Sequence, residues 1–284
     1  MRSATRGRRA PRGLPRIENP QLLIGGVLLL AFIVLAIAGP WIAPYDPTEQ
    51  DLFAMLEVPS AAHWLGTDAI GRDILSRIII GTRSTLSVAL ASVFCAGVIG
   101  VALGAIAGQA GGHVDRVITT FLDLLLTVPG LVLAIAIAAA LGAGEVGLVI
   151  AITASFVPSI GRLVRGRVME LREEDFVAAS VTIGMRPSRI LLRHILPNAA
   201  SVVVIELSLL AGQAVLVGSA LGFLGLGVPP PAPEWGAMLG ASREYIEVAP
   251  HLVIAPGIAI SLLVFAFNIF GDGLRDRLDP NMQR

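Results

Sequence analysis

The sequence predicts an all-α membrane protein with six transmembrane helices, and three observations carry that prediction. The 284 residues are 55% hydrophobic and only 15% charged, with a mean hydropathy of +0.78, far from the composition of a soluble domain. Marking every Asp, Glu and Arg leaves six long uncharged windows, at 20–45, 84–114, 124–144, 146–161, 207–233 and 248–271. A helix crossing a hydrocarbon core of about 30 Å needs roughly 20 apolar residues, which five of the windows supply. The remaining charges also segregate. Counting along six crossings, seventeen Arg fall on the side of the termini and only Arg72, Arg77, Arg83 and Arg243 on the other. The positive-inside rule then places both termini in the cytoplasm.

Residues 1–19 form an Arg-rich cytoplasmic tail, expected as an arm attracted to anionic lipid. The tail, the apolar stretch from Leu22 and Ala36-Ile37-Ala38 imitate a secretory signal. The apolar run is too long for one and continues through Gly39-Pro40-Trp41-Ile42-Ala43, so residues 20–43 are read as an uncleaved first transmembrane helix, with Trp41 and Tyr45 suited to the outer interface. Residues 44–83 form an extracytoplasmic segment broken by Pro47 and Pro59. After Thr67 or Asp68, either of which can N-cap, Ile70, Ile74, Leu75, Ile78 and Ile79 share a face and predict an amphipathic helix in the outer interface.

Residues 84–273 hold the other five spans, including a cytoplasmic loop at 162–200, and 274–284 form a cytoplasmic tail. In the second span Gly100, Gly104 and Gly108 recur every four residues, a smooth strip that permits close helix packing in lipid. The fourth window has 16 residues, a rise of only about 24 Å, so Glu145 or Arg162 must extend it, or windows three and four form a re-entrant hairpin. In the fifth span Gly218, Gly222, Gly225 and Gly227, followed by Pro229-Pro230-Pro231, must break the helix. Asp123 and Glu206 are the acids nearest the lipid core and suit intramembrane pairing or an inter-subunit contact better than a proton relay.

Several chemistries are excluded. All 21 basic residues are Arg, so no Walker A lysine and no Schiff-base lysine exists. The single Cys95 sits in an apolar run and reads as a small buried hydrophobe, and His63, His113, His194 and His251 have no metal-ligand spacing. No catalytic residue, cofactor, metal or nucleic-acid partner is expected; lipid is. Ser219 and His251 are the obvious pair for an intramembrane hydrolase, yet no nucleophile-elbow pattern surrounds them. A stand-alone channel or secondary transporter is the other alternative, opposed by the lack of mid-membrane charge.

The loop from Gly166 to Ala200 is the most informative stretch. Asp175 can open a helix through Phe176, Val177, Ala178, Ala179, Val181 and Ile183; Gly184 can turn it. A second helix then starts near Pro187 and carries Ile190, Leu191, Ile195 and Leu196 until Pro197. Two short helices around a glycine, with apolar residues between charges, form a protrusion that a concave partner can grip. Gly184 is expected with positive φ or with no room for a side chain.

Here the sequence resembles the permease subunits of binding-protein-dependent ABC importers, whose motif runs E-A-A, three residues, G, nine residues, I-x-L-P. It reads Ala178-Ala179-Ser180, Gly184 and His194-Ile195-Leu196-Pro197 in this chain, with Ala178 in place of the Glu and Glu174 or Asp175 nearby. His63-Trp64-Leu65-Gly66-Thr67-Asp68, Gly71-Arg72-Asp73-Ile74-Leu75-Ser76-Arg77, Leu163-Val164-Arg165-Gly166, Phe223-Leu224-Gly225-Leu226-Gly227, Trp235-Gly236-Ala237-Met238-Leu239, Gly271-Asp272-Gly273-Leu274-Arg275-Asp276 and Leu278-Asp279-Pro280 extend the likeness to the second permease of dipeptide, oligopeptide and nickel importers. The resemblance implies a MetI-like fold, pairing with a second homologous permease, two cytoplasmic ATP-binding subunits and an extracytoplasmic solute-binding protein. It implies that Asp175, Ala178, Ala179, Ser180, Gly184, His194, Leu196 and Pro197 belong to an ATPase-coupling loop.

Overall fold

In lipid every backbone N–H and C=O must be satisfied within the chain, and long apolar runs do this by closing helices. The computed structural model describes residues 19–278, and among them it contains helices, turns and no strand. The arginines of the N-terminal tail, Arg284 and the Asp279-Pro280 pair lie outside the described residues. In chain order the helices are α1 (Pro20–Ile42), α2 (Ile74–Ala110), α3 (Gly112–Leu126), α4 (Gly130–Leu141), α5 (Glu145–Arg172), α6 (Asp175–Thr182), α7 (Pro187–Ile190), α8 (Leu196–Phe223), α9 (Trp235–Ser242) and α10 (His251–Leu278). A π-helical turn, Leu191–Ile195, joins α7 to α8, and a 3-10 turn, Arg243–Tyr245, follows α9. Five stretches are long and apolar enough to cross a membrane, and six if α3 and α4 together count as one.

The third crossing differs from the expectation of one helix over 124–144. α3 and α4 meet at 88°. Pro129 lacks an N–H and restrains Val128, so the helix closes at Leu126 and reopens at Gly130. The fourth span takes both extensions the short window demanded: α5 runs 28 residues, from Glu145 through Arg162 to Arg172.

The amphipathic helix expected after Thr67 or Asp68 starts later and is no separate element. The Asp68 carboxylate accepts the Ile70 and Arg72 N–H groups, and Gly71 turns with φ 79° directly against the Asp51 backbone. Asp73 then caps α2 by accepting from the Ser76 N–H at 2.8 Å, and the helix runs 37 residues into the second span. At 1.5 Å per residue α2 is about 55 Å long and must project beyond a bilayer core.

Pro197 does not end a helix as expected. The π-helical turn widens the backbone ahead of it, with the Leu196 N–H reaching the Leu191 carbonyl, so the proline ring enters the first turn of α8 without breaking the rod. Glu206 therefore lies within α8, about ten residues from its start, and α8 closes at Phe223, well before residue 233.

The centre is the α2–α5 pair. Gly100 faces Ile160, Gly104 faces Val164 and Gly108 faces Val168, with no room for a Cβ at any of the three. The glycine strip thus does what its spacing predicts, and Ile160, Val164 and Val168 of α5 are the side chains that fill it. α1 leans on the outside against α10 and α2, touching through Gly25 at Phe270 and Gly39 at Ile79, while most of its apolar side chains stay exposed. Asn19 Nδ2 donates to the Gly273 carbonyl at 2.8 Å and fixes the start of α1 to the end of α10. Cys95 is half-buried and free, not enclosed as expected.

Candidate functional site

The antiparallel helices gather the 173–199 connection, the start of α1 and the end of α10 at one end of the bundle. α6 closes there in a Schellman turn: the Met185 N–H donates to Ser180 O at 3.1 Å and the Gly184 N–H to Val181 O at 2.9 Å. Gly184 has φ 79°, and the space around its Cβ position is empty. Of the two expectations for Gly184, positive φ holds and lack of room does not.

Inward, Val177 and Ser180 are buried, and Ser180 Oγ donates to the Phe176 carbonyl at 2.8 Å. Outward, Phe176, Ala178, Ala179, Val181 and Ile183 are exposed, Ile183 at 78%. The connection therefore presents an apolar cap, bordered by exposed Glu173, Glu174 and Asp175 on one flank and Arg186, Arg189 and Arg193 on the other. A free surface of apolar side chains at the end of a short helix is the form a partner cleft recognises. Leu196 and His194 are partly buried, Pro197 is exposed, and Asn198 Nδ2 donates to His194 O at 2.6 Å. His194, Leu196 and Pro197 thus lie in the π-helical turn and the first turn of α8, not on α6.

Two arginines of α5, the helix that leads into the cap, tie it to its neighbours. Arg165 Nε and Nη2 donate to the two Asp115 carboxylate oxygens at 2.5 and 2.7 Å, joining α5 to α3. Arg172 Nη1 donates to Gly108 O at 2.7 Å and satisfies a carbonyl in the last turn of α2. Arg165 belongs to the Leu163-Val164-Arg165-Gly166 motif, which by itself indicates no partner. The available signal was Asp115, an acid flanking an apolar window on the Arg-rich side.

Asp123 pairs with Arg162 of α5 at 2.8 Å, both about half exposed. Glu206 is partly buried, with no ion pair or hydrogen bond among the described residues. Ser219 Oγ and His251 Nε2 are each buried without a partner, and no hydrogen bond joins them as a hydrolytic pair would need. Among the described residues no His, Cys, Asp and Glu cluster suits a metal.

At the opposite end the motif residues of 63–77 form a polar knot over the start of α2. His63 Nδ1 lies 2.9 Å from Asp73 Oδ1, and Ser76 Oγ donates to Asp73 Oδ2 at 2.7 Å. Arg77 Nη1 donates to Pro47 O at 2.8 Å, and Arg72 pairs with Asp68 at 2.7 Å. Beside the knot, Trp235 is fully buried and its Nε1 donates to Ile78 O at 3.0 Å. Glu234 caps α9 by accepting from the N–H groups of Gly236 and Ala237 at 2.7 and 2.8 Å. Burial pushes the Glu234 carboxyl above the usual glutamate range, against the pull of those two bonds. The Thr48 side chain and N–H bind Asp46 and hold its carboxyl below the usual range.

Residues 100–284 match the family model of the binding-protein-dependent transport system inner membrane component. Residues 17–59 match the N-terminal TM domain of oligopeptide transport permease C. The chain is 44% identical over 266 residues to the dipeptide transport system permease protein DppC of Alkalihalophilus pseudofirmus, covering 94% of this chain and 88% of that one. It is 42% identical over 259 residues to the glutathione transport system permease protein GsiD of Pectobacterium atrosepticum, covering 91% and 86%. In fold it resembles an inward-facing conformation of the MetNI methionine ABC transporter, with a TM-score of 0.60 at 19% identity, over 72% of this chain and 96% of that chain.

Proposed function

The chain belongs to the inner membrane components of binding-protein-dependent transport systems and is a permease subunit of an ABC importer, and from that premise we propose that it carries short peptides such as dipeptides or glutathione into the cell. The names of its relatives, a dipeptide and a glutathione permease, favour peptides over nickel. The partners are a second homologous permease, two cytoplasmic ATP-binding subunits and an extracytoplasmic solute-binding protein. The carrying observation is the exposed apolar cap of α6 around the Gly184 turn, at the Arg-rich end of the bundle.

The mechanism is mechanical. ATP binding closes the paired ATPases, and the caps seated in them move together. α5 and α8 take up that motion, since Arg165 and Arg172 bind α5 to α3 and α2, and the unbroken rod through Pro197 joins α7 to α8. The helices then rock from inward-facing to outward-facing and accept solute from the binding protein. The chain supplies no ATP hydrolysis, having no lysine for a Walker A loop.

The seventeen-to-four division of Arg supports cytoplasmic termini, with the cap on the same side. The test is co-expression with ATP-binding partners and the binding protein, and ATP-driven uptake of dialanine into proteoliposomes. With Cys95→Ser as background, Ser188→Cys should resist an impermeant thiol reagent applied to intact cells. Labelling from outside overturns the orientation, and hydrolysis of ATP by the isolated chain overturns the division of labour.

A further inference from the structure

At the end of the bundle opposite the cap, a groove of about 510 Å³ opens where α8 gives way to the α9 connection, bordered by Gly222, Gly225, Pro229, Arg243, Glu244 and Tyr245. That volume lies within the ~300–1,000 Å³ of small-molecule sites. Gly225 turns the chain there with φ 80° and leaves open space where a side chain would stand.

Charge sets what the groove can hold. This end carries ten acids and four arginines, so an anion finds few partners. Arg72 and Arg77 are already engaged, Arg72 with Asp68 at 2.7 Å and Arg77 with the Pro47 carbonyl at 2.8 Å. Arg83 stands on α2 outside the groove. Arg243 is exposed, makes no ion pair among the described residues and borders the groove. Glu244 beside it is also exposed and free of ion pairs. The last turn of α8 forms the same wall; its Ala220, Leu221 and Gly222 carbonyls are taken by the Leu224, Leu226 and Gly225 N–H groups, and its negative dipole end favours positive charge nearby. A lone anion meets Glu244, and a lone cation meets Arg243; a molecule bearing both charges meets each with its opposite.

We propose that this groove receives the transported solute as a zwitterion, with Arg243 taking its carboxylate and Glu244, beside the negative dipole end of α8, taking its ammonium. The proposal rests on the peptide-permease reading above and adds a place of first contact on this chain.

The test uses the assembled complex carrying Cys95→Ser and Ala241→Cys, since Ala241 is exposed and borders the groove. The rate of labelling by a bulky impermeant thiol reagent is followed with dialanine or its C-terminal amide present. Dialanine should slow labelling, the amide should slow it less, and Arg243→Gln should abolish the difference. In uptake, Arg243→Gln should raise KM for dialanine about three- to fivefold at unchanged kcat, the scale of an exposed ion pair, with Arg243→Lys restoring most of it. Absence of protection by dialanine overturns the proposal, as does protection unchanged in Arg243→Gln. An equal rise in KM for dialanine and its amide also overturns it, and points to docking of the binding protein instead. Protection without ATP-driven uptake leaves the groove standing and sinks the peptide-permease reading.

Discussion

The Arg165 guanidinium clasps the Asp115 carboxylate with two hydrogen bonds, at 2.5 and 2.7 Å, and through it α5 is fastened to α3 just below the exposed cap. Paired bonds between a fork of donors and a planar carboxylate are among the stronger polar contacts, and both side chains are more than two-thirds buried. A double-mutant cycle of Arg165→Gln and Asp115→Asn, read by thermal unfolding in detergent, should give a coupling of about 1–2 kcal/mol. Additive effects would mean the clasp contributes nothing to holding α3 and α5 together.

Two glycines should respond in opposite directions to the same change. A Cβ at Gly104 meets Val164 Cβ at 2.9 Å and crowds the Gly161 carbonyl, so Gly104→Ala must push α2 from α5 and should cost about 1–3 kcal/mol. Gly166 lies mid-helix in α5 with nothing near its Cβ position, so Gly166→Ala should stabilise the isolated chain by up to about 1 kcal/mol. Melting temperatures of the two variants check the pair, and a common sign would contradict the packing described.

Gly184→Val should leave insertion and permease pairing intact while weakening ATPase association and abolishing ATP-driven uptake. The cause is backbone strain of about 1–3 kcal/mol at φ 79°, not a clash, because the surrounding space is empty. Gly184→Asn, which tolerates this conformation, should keep most uptake. ATPase stoichiometry after purification and uptake in proteoliposomes measure both variants. Unchanged uptake by Gly184→Val would remove the coupling role from this turn.

Glu234 should make stability depend on pH. Its carboxyl, 3% exposed, is raised by burial above the ordinary value of 4.5. A raised carboxyl binds its proton more tightly in the folded chain, so the stabilisation is fully present below 4.5 and lost as pH rises through the folded value. Glu234→Gln keeps one acceptor oxygen but turns an amide NH2 towards the second of the Gly236 and Ala237 N–H groups, so it should lower the melting temperature at every pH while flattening that part of its profile. A variant with the same slope as the unmutated chain would assign the pH response elsewhere.

The division between sequence and structure follows the reach of each signal. Hydropathy, the Arg distribution and the four-residue glycine period are properties of neighbours along the chain, and they were enough to establish a helical membrane protein, a close-packing face at Gly100, Gly104 and Gly108, and a turn at Gly184. The family likeness was also legible at that level, because motifs such as Gly71-Arg72-Asp73 are short strings whose geometry is local: a positive-φ glycine followed by the cap of α2.

Only the tertiary structure decided where helices begin, bend and continue. Uncharged windows misplaced the ends of α2 and α8 because charge marks tolerance of lipid, whereas helix ends depend on who takes the terminal N–H and C=O groups. Asp73 settled this for α2, and a Schellman turn around Gly225 settled it for α8. The passage of the rod through Pro197 required a π-helical turn whose bond spans five residues, a pattern without a composition signature. The partner of Asp115 lies 50 positions away at Arg165, and that of Trp235 lies 157 positions away at Ile78. Such pairs form when packed helices bring distant residues together, and no window along the chain contains both.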